Sequence, residues 1–323
     1  MATNQESKFI SALNFTAQKG KTYNEAMQNM FQLVSGGDNT WNGDAINYLK
    51  DYLGSSQNNI NALLNEFAVN LGFNNWDSCN NMGDPLLYSS NLKLWLDSGD
   101  STTFTYGTSP KLSQWDDKSG NGNNFSQPTS VDQPTFLANS INNLDGININ
   151  GVNEWMYAPS FGIDWTADDF TVFVVAQMDA DGAVGFAKYR GIIGTRFGPG
   201  SGSWWTVGQH GFLNTIGIET SGGFFADSNF SAPGAGPFVT MLRKTGSGTG
   251  SPMELFINNV SLTSINLTAL GIGSTANDIG IGRWLGADQG WKGEMGEFLV
   301  FNKSLSATEV KMIYDYLSKK WGI

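Results

Sequence analysis

The sequence predicts a mainly β protein. Residues 86–323 are expected to form an antiparallel β-sandwich closed by a C-terminal helix, and residues 1–85 a small helical domain. Three observations lead to this prediction. Hydrophobic residues before residue 73 recur at helical spacing, β-rich runs separated by Gly, Asn and Asp follow residue 85, and a helix-capping signal precedes one last helical stripe.

The composition is that of a folded protein that does not bind nucleic acid. Of its 323 residues, 40% are hydrophobic and 13% aromatic, which is enough apolar material for a core and disfavours a disordered chain. The net charge of −11 disfavours a phosphate backbone as the main partner. The single cysteine, Cys79, and the single histidine, His210, exclude an internal disulfide and metal sites that need several thiolates or imidazoles.

Targeting and membrane segments are not expected. The N-terminal residues MATNQESKF lack the apolar stretch of a signal peptide, and no run approaches 18 consecutive apolar residues. We therefore expect a protein that is made in a cytoplasm and does not insert into a membrane.

Residues 7–73 have the periodicity of three or four short helices. The clearest stripe is Ile60, Leu63, Leu64, Phe67 and Leu71. The pattern breaks before residue 85, where Asn, Gly, Asp and Pro cluster, which places a domain boundary near that residue. Because so small a bundle has little core of its own, we expect its stripes to use a partner surface as well.

Beyond residue 85 the chain has the pattern of an all-β domain. No helix interrupts the strand-like segments, so two packed sheets are predicted. Asn258-Asn259 is expected to form a tight hairpin turn, because Asn tolerates positive φ. The predicted strands are Asn91–Leu96, Phe170–Gln177, Gly191–Arg196, Trp204–Gln209, Phe238–Lys244, Glu254–Asn258, Ile279–Arg283 and Glu297–Asn302.

One helix is predicted after the last strand. Ser306 and Glu309 have the spacing of a capping box, which satisfies the first backbone N–H groups of a helix. The residues Val310, Ile313, Tyr314 and Leu317 then form one apolar face, so the helix should dock on the sandwich.

Both ends of the β region resemble a known superfamily. The beginning reads LKLWLD from Leu92 and LSQWDDKSGNGNN from Leu112, and the end reads GEMGEFLVFNKSLS from Gly293, followed by the closing helix. These segments resemble the concanavalin A-like lectin/glucanase superfamily in its laminin-G-like form, as found in bacteriophage structural proteins and bacterial surface proteins. The resemblance covers roughly residues 86–323.

This resemblance implies a two-sheet antiparallel jelly roll, often with carbohydrate bound on the concave sheet or on rim loops. Together with the missing signal peptide it implies a non-enzymatic virion protein, released by lysis, in which residues 1–85 attach to a capsid, neck or tail component. Such a protein would be present in many copies or as a homo-oligomer. The alternatives are a secreted or cell-surface carbohydrate-binding module and a glycoside hydrolase.

Catalytic patterns are missing from the sequence. Glucanases of this superfamily carry carboxylates at alternate strand positions, but here no Glu has an Asp two residues later. Glu294 and Glu297 come nearest, and at an offset of three they would face opposite sides of a regular strand unless a bulge intervened. No Gly-x-Ser-x-Gly nucleophile motif occurs. We therefore expect no enzymatic activity.

One segment has the pattern of half a calcium loop. Asp117, Ser119 and Asn121 carry oxygen atoms at alternate positions before a glycine, but Pro128 stands where a bidentate Glu would be needed. The same residues are typical of a hydrogen-bonded turn without an ion. Calcium is the one cofactor that the sequence leaves open.

Tryptophans near glycine-rich loops indicate sugar binding. The C–H face of a pyranose stacks on an indole, while nearby polar groups bind its hydroxyls. In a regular strand only one of Trp204 and Trp205 can face the core, so the other must point outward. The candidate glycan-binding residues are Trp204, Trp205, Trp284, Trp291, Arg283 and His210.

Overall fold

The computed structural model describes most of the chain beyond residue 90. The described ranges are 90–159, 161–165, 167–180, 190–195, 205–210, 215–220, 223–231, 236–246, 251–258, 260–266, 278–283 and 290–323, with Lys50, Ser55, Ser56, Ala62 and Glu66 before them. The chain divides into two compact units, Met1–Leu87 and Tyr88–Ile323. The helical stripes and attachment role predicted for residues 1–85 lie outside the described residues, apart from the helical conformation of Lys50, Ala62 and Glu66.

The second unit is a sandwich of two antiparallel sheets, as predicted. Within the described residues the first sheet has eight strands: β1 (Leu92–Asp97), β5 (Thr135–Ile141), β6 (Leu144–Asn150), β8 (Phe170–Met178), β13 (Phe238–Lys244), β14 (Pro252–Ile257), β15 (Val260–Asn266) and β17 (Lys292–Phe301). Their order is β15-β14-β13-β8-β17-β6-β5, and β1 also pairs with β17.

The second sheet has nine described strands: β2 (Phe104–Tyr106), β3 (Leu112–Trp115), β4 (Phe125–Ser126), β7 (Met156–Ala158), β9 (Arg190–Gly194), β10 (Trp205–His210), β11 (Thr215–Thr220), β12 (Gly223–Ser231) and β16 (Ile279–Ile281). Their order is β12-β11-β10-β9-β16-β7-β4-β3-β2. Among the described residues, two short 3-10 helices, Ser101–Thr103 and Ser130–Asp132, lie in the connections.

The inter-sheet core is built from alternate residues of both sheets. Val172, Val174 and Ala176 of β8 point into it from the first sheet, and Met156 and Ala158 of β7 from the second. This alternation is the period of two that places every second side chain of a strand on the same face. It also means that Tyr157, between two core residues, faces away from the sandwich.

The hairpin between β14 and β15 is confirmed. Ile257 pairs with Val260, so two residues form the loop, and Asn258 has a φ of 48°. An Asn at this position is physically suitable because its short polar side chain tolerates the left-handed region.

Strand β17 lies in the middle of the first sheet and contacts three neighbours. Along one edge it pairs with β8, and along the other it pairs first with β6 and then with β1. Met295 pairs with Ala176 and Phe298 with Val174, so Gly296 and Glu297 together oppose one residue of β8. This two-against-one arrangement is a β-bulge, and it shifts the strand's inward and outward faces by one residue.

The C-terminal helix, Ala307–Trp321, packs on the outer face of the first sheet. Ser306 and Glu309 form the predicted capping box, and Gly322 ends the helix with a φ of 68°. Val310, Ile313 and Leu317 are buried there with Phe173 and Leu299 of the sheet. The predicted docking of this helix is confirmed.

A buried carboxylate fastens the helix to the sheet. Glu297 has no solvent exposure, and its Oε1 accepts hydrogen bonds from the Trp95 indole at 2.7 Å and the Tyr316 hydroxyl at 2.8 Å. Its Oε2 accepts from Lys320 and from the Trp321 indole, both at 2.8 Å. Four donors thus use the acceptor capacity of one carboxylate.

No described helix has the length and apolarity that crossing a bilayer requires.

Candidate functional site

Two of the four candidate tryptophans are core residues. Trp205 is fully buried and stacks on Phe170, with ring centroids 5.5 Å apart, while its edge meets Trp165. Trp291 is also fully buried and meets Phe238 edge to face at 6.2 Å. Neither indole can stack on a sugar in this structure. The expectation that they are in excess of what packing requires is corrected, because the inter-sheet core uses both.

The side chains of three further candidates lie outside the described part of the structure. Trp204 and Trp284 lie outside the described residues, and His210 ends β10 with a side chain that is not described. Their part in glycan binding stays a prediction. The burial of Trp205 agrees with the alternation argument that one of the adjacent pair fills the core.

The Asp117 loop is held together by its own hydrogen bonds. Asp117 Oδ1 accepts from the backbone N–H groups of Trp95 and Ser119, both at 2.9 Å. Its Oδ2 accepts from the Ser119 hydroxyl at 2.8 Å and from the backbone N–H of Asn123 at 3.0 Å. The carboxylate therefore faces four donors, an environment that suits a turn and not a cation.

The rest of the loop is also used by the fold. The Asn121 side-chain amide donates to the Leu92 carbonyl at 2.8 Å, and the Asn123 amide donates to the Lys93 carbonyl at 2.7 Å. Of the two interpretations left open by the sequence, this geometry favours the turn, which secures the loop against β1. Among the described residues no cluster of three His, Cys, Asp or Glu side chains offers a metal site.

Arg283 lies on an aromatic surface of the second sheet. Its guanidinium carbon is 5.2 Å from the centre of the Trp155 ring, and Trp155 stacks on Tyr157 with centroids 5.3 Å apart and planes inclined by 23°. All three side chains are partly exposed. We call Arg283, Trp155 and Tyr157 the Arg283 stack.

The Arg283 stack faces outward because of strand alternation. Tyr157 lies between the core residues Met156 and Ala158, and Trp155 precedes Met156. The cross-strand partners of Tyr157 are Ser126 on β4 and Gly280 on β16. Since Gly280 has no side chain, nothing on that neighbouring position of β16 covers the tyrosine ring.

The buried side chain of Gln127 helps to hold the backbone of Trp155 in place. The Trp155 N–H donates to the Asp132 carbonyl at 3.1 Å, and the Trp155 carbonyl accepts from the Gln127 side-chain amide at 3.1 Å. Gln127 is itself buried and also accepts from the backbone N–H of Thr129 through its Oε1. The loop that carries Trp155 is therefore attached through two backbone atoms to the segment that follows β4.

Arg283 is positioned by close glycine packing. Its backbone pairs with Gly290, which in turn pairs with Gly191. A Cβ at Gly191 would lie 2.7 Å from the Arg283 carbonyl oxygen, a distance that real Cβ contacts do not reach. Gly191 thus allows the Arg283 backbone to approach β9.

The two glutamates considered for catalysis share one face of the sheet. The bulge at Gly296 and Glu297 compensates for their offset of three, so Glu294 pairs with the outward Gln177 and Glu297 points outward as well. Burial raises the pKa of Glu297, and the Asp97 carboxylate adds to this effect while Lys320 opposes it. Partial burial and the Asp179 carboxylate likewise raise the pKa of Glu294.

Their surroundings differ from those of a catalytic pair. Glu297 is covered by the C-terminal helix and bound by four donors, so a substrate cannot reach it without displacement of that helix. Glu294 is partly exposed. The pair therefore does not present two accessible carboxylates to one ligand.

Trp155 and Tyr157 were missed in the sequence analysis. The signal was present: the four residues Trp155-Met156-Tyr157-Ala158 alternate large aromatic side chains with smaller apolar ones, and period two puts both aromatics on one face. In the adjacent Trp204-Trp205 pair, by contrast, alternation allows only one ring to point outward.

No protein-family model and no curated protein sequence matches the chain. Several solved structures are similar to part of the chain at low identity. The binding domain of Paraclostridial mosquitocidal protein 1 gives a TM-score of 0.49 at 12% identity over 70% of this chain and 52% of that one. Domain 4 of AbnA, a GH43 extracellular arabinanase from Geobacillus stearothermophilus in complex with arabinotriose, gives 0.47 at 13% identity over 69% and 98%. The botulinum neurotoxin serotype D binding domain gives 0.47 at 14% identity over 72% and 53%.

The chain spans about half the length of the two toxin domains. Likeness at this level carries no argument about function. A function must therefore be argued from the side chains described above.

Proposed function

We propose that the sandwich is a glycan-binding domain that does not hydrolyse its ligand, and that the protein is a bacteriophage virion component attached through residues 1–85. The observation that carries glycan binding is the Arg283 stack. It places two partly exposed, stacked aromatic rings and a guanidinium that lies over one of them on the outer face of the second sheet.

The chemistry of the Arg283 stack suits a sugar. Aromatic carbon provides a surface for the C–H face of a pyranose, while the Tyr157 hydroxyl and the guanidinium bind its oxygen atoms. Among the described residues, no side chain or backbone group is hydrogen-bonded to the Tyr157 hydroxyl. A strip of this size is expected to bind one sugar at roughly millimolar affinity, about −4 kcal/mol, so adhesion requires many copies.

The absence of hydrolysis is proposed from the carboxylates. Glu297 serves the fold, and the alternate-carboxylate pattern of glucanases does not occur in the sequence. Incubating the full chain with each glycan that it binds should release no reducing ends. Release that is abolished by Glu294→Gln would contradict this part of the proposal.

Placement on a virion is proposed from the resemblance of residues 92–124 and 293–323 to domains of phage structural proteins. Labelling of the chain in electron micrographs of purified particles tests it. Label at the capsid, neck or tail is expected, and particles that carry none would contradict it.

Glycan binding is tested with the full chain displayed on beads and applied to a glycan array. Trp155→Ala and Tyr157→Ala should each abolish binding that the native protein shows, because each removes part of the stacking surface. Tyr106→Ala is the matched control, since Tyr106 is an exposed tyrosine on β2 of the same sheet but outside the Arg283 stack.

Two results would overturn the glycan proposal. One is that the displayed native protein binds no glycan of any class. The other is that Trp155→Ala and Tyr157→Ala bind as well as Tyr106→Ala.

A further inference from the structure

Arg283 differs from the other described cations that lie over aromatic rings. Lys118 lies over Trp95 and pairs with Asp97 at 2.9 Å, and Arg243 lies over Phe256 and pairs with Glu254. Lys320 lies over Trp321 and pairs with Glu297 at 2.8 Å. Among the residues that the structure describes, no carboxylate pairs with Arg283, and no acceptor is within reach of its buried Nε.

An arginine in this position is suited to an anion. Its planar guanidinium presents parallel N–H donors that match the two oxygens of a carboxylate, and contact with the indole has already removed part of its water. The protein as a whole carries a net charge of −11, which is enough to keep it soluble. Solubility therefore does not explain why the Arg283 stack carries a cation without an anionic partner among the described residues.

We infer that the ligand is an acidic saccharide, whose anionic group pairs with the Arg283 guanidinium while its sugar ring contacts Trp155 and Tyr157. This inference rests on the proposed glycan-binding function and adds the chemical class of the ligand. The anionic group is a carboxylate of a uronic or similar sugar acid, or a sulfate ester, since both offer oxygen atoms in the geometry that the guanidinium binds.

The rigid position of Arg283 supports this assignment. Its backbone is fixed by the pairing with Gly290 and by the close approach to Gly191, and its side chain lies on Trp155. A donor that is already oriented loses little side-chain freedom when it binds, which favours affinity for a matching anion.

The test uses the full chain displayed on beads and three probes: a uronic acid-terminated oligosaccharide, its carboxyl-reduced neutral twin, and a sulfated counterpart. The native protein should bind an acidic probe about tenfold more tightly than the neutral twin, as expected for charged hydrogen bonds. The preference should weaken as the salt concentration rises. The acidic probe that binds more tightly identifies the anionic group.

Two variants distinguish a specific contact of Arg283 with the anionic group from an effect of the protein's net charge. Arg283→Gln should erase the preference, so that the acidic probe binds no more tightly than the neutral twin. Lys311→Gln changes the net charge equally at an exposed position on the C-terminal helix, and it should keep the preference.

The inference and the proposed function fail in different ways. Equal binding of acidic and neutral probes, or a preference that survives Arg283→Gln, would overturn the acidic ligand and leave glycan binding intact. Binding of no probe in any arm would overturn both.

Discussion

Glu297 shows how one buried carboxylate organises a layer of this protein. Two indoles, one phenol and one ammonium converge on it from β1 and from the C-terminal helix. Removing one partner of a buried charged network leaves the others without their acceptor, which costs more than the net value of the interaction.

Glu297→Gln should therefore lower the free energy of unfolding by roughly 3 kcal/mol. Glutamine has the same shape, but its amide would turn two hydrogens toward donors that need an acceptor. Urea unfolding measures the change. Glu254→Gln is the control, because Glu254 forms a more exposed pair with Arg243 and should cost about 1 kcal/mol or less. Equal costs would contradict the central role of Glu297.

Gly191 is expected to control the position of Arg283. In Gly191→Ala the new methyl group would lie 2.7 Å from the Arg283 carbonyl oxygen, so β9 and the Arg283 segment must separate. We expect a loss of about 1–3 kcal/mol in unfolding free energy and a loss of glycan binding.

Gly194→Ala is the control that separates the loss of stability in Gly191→Ala from the loss of glycan binding. Its methyl group would lie 2.6 Å from the Trp205 carbonyl oxygen and would not meet Arg283. Gly194→Ala should therefore lose a similar amount of unfolding free energy but retain more glycan binding than Gly191→Ala. Glycan binding that falls equally in both folded variants would show that Gly191 has no special relation to Arg283.

At the residue scale, the sequence predicts burial better than it predicts exposure. The alternation rule is satisfied by Trp205 in the core, yet Trp291 is buried although it stands beside a glycine-rich loop. Which ring of a strand is exposed depends on the register of neighbouring strands, and that information is non-local. Arg283 could be selected from its neighbours in sequence, whereas its contact with Trp155 joins residues 128 positions apart and could not.

The C-terminal helix is stabilised at its first turn by a pH-sensitive contact. Partial burial acts to raise the pKa of Glu309, but hydrogen bonds from Lys303 and from the Ser306 backbone outweigh it and hold the pKa below its ordinary value. A carboxylate whose pKa falls on folding contributes stability above its unfolded pKa of about 4.3, and this contribution is lost as the pH falls through the folded pKa.

Glu309→Gln should therefore destabilise the protein at pH 7 and have less effect near pH 3. Glutamine can still complete the capping box but does not pair with Lys303. Urea unfolding at several pH values between 3 and 7 measures the difference from the native protein. A difference that is constant over this range would show that ionisation of Glu309 does not contribute.

Packing of the C-terminal helix against the sheet contributes more to the free energy of unfolding than the Glu309 contact does. Leu317 is fully buried against the outer face of the first sheet, so Leu317→Ala should cost about 2–5 kcal/mol in chemical denaturation. Lys311→Ala, on the exposed face of the helix, should change the stability by less than about 0.5 kcal/mol. A cost near zero for Leu317→Ala would mean that the helix is peripheral to the fold.

At the element scale, strands with strong alternation were predicted well and short polar strands were not. The eight predicted strands correspond to β1, β8, β9, β10, β13, β14, β16 and β17, although β17 begins at Lys292 and not at Glu297. The strands β2 to β7, β11, β12 and β15 were not predicted from the sequence. Of these, β2, β3, β4 and β7 are short, and β5 has an exposed middle that includes Asn139 at a φ of 54°. Such segments become strands through their neighbours and not through their own composition.

At the scale of the whole molecule, the two units suggest separate roles. Both hydrophobic clusters of the second unit are built from residues 92–323. Residues 88–323 should therefore fold alone and bind the same glycans as the full chain, but should not be incorporated into a particle. Circular dichroism, the glycan array and analysis of purified particles measure these three properties. Incorporation of residues 88–323 alone would contradict attachment through residues 1–85.

The central position of β17 constrains the order in which the first sheet can form. The strands β1, β6 and β8 are synthesised earlier, yet each needs β17 as a partner, and residues 92 and 301 must meet across most of the domain. Pairing between such distant segments is slow. Until β17 is synthesised, each of these three strands has one edge whose backbone N–H and C=O groups are unpaired. A nascent or truncated chain that lacks β17 would therefore expose several strand edges at once and is expected to aggregate before it folds.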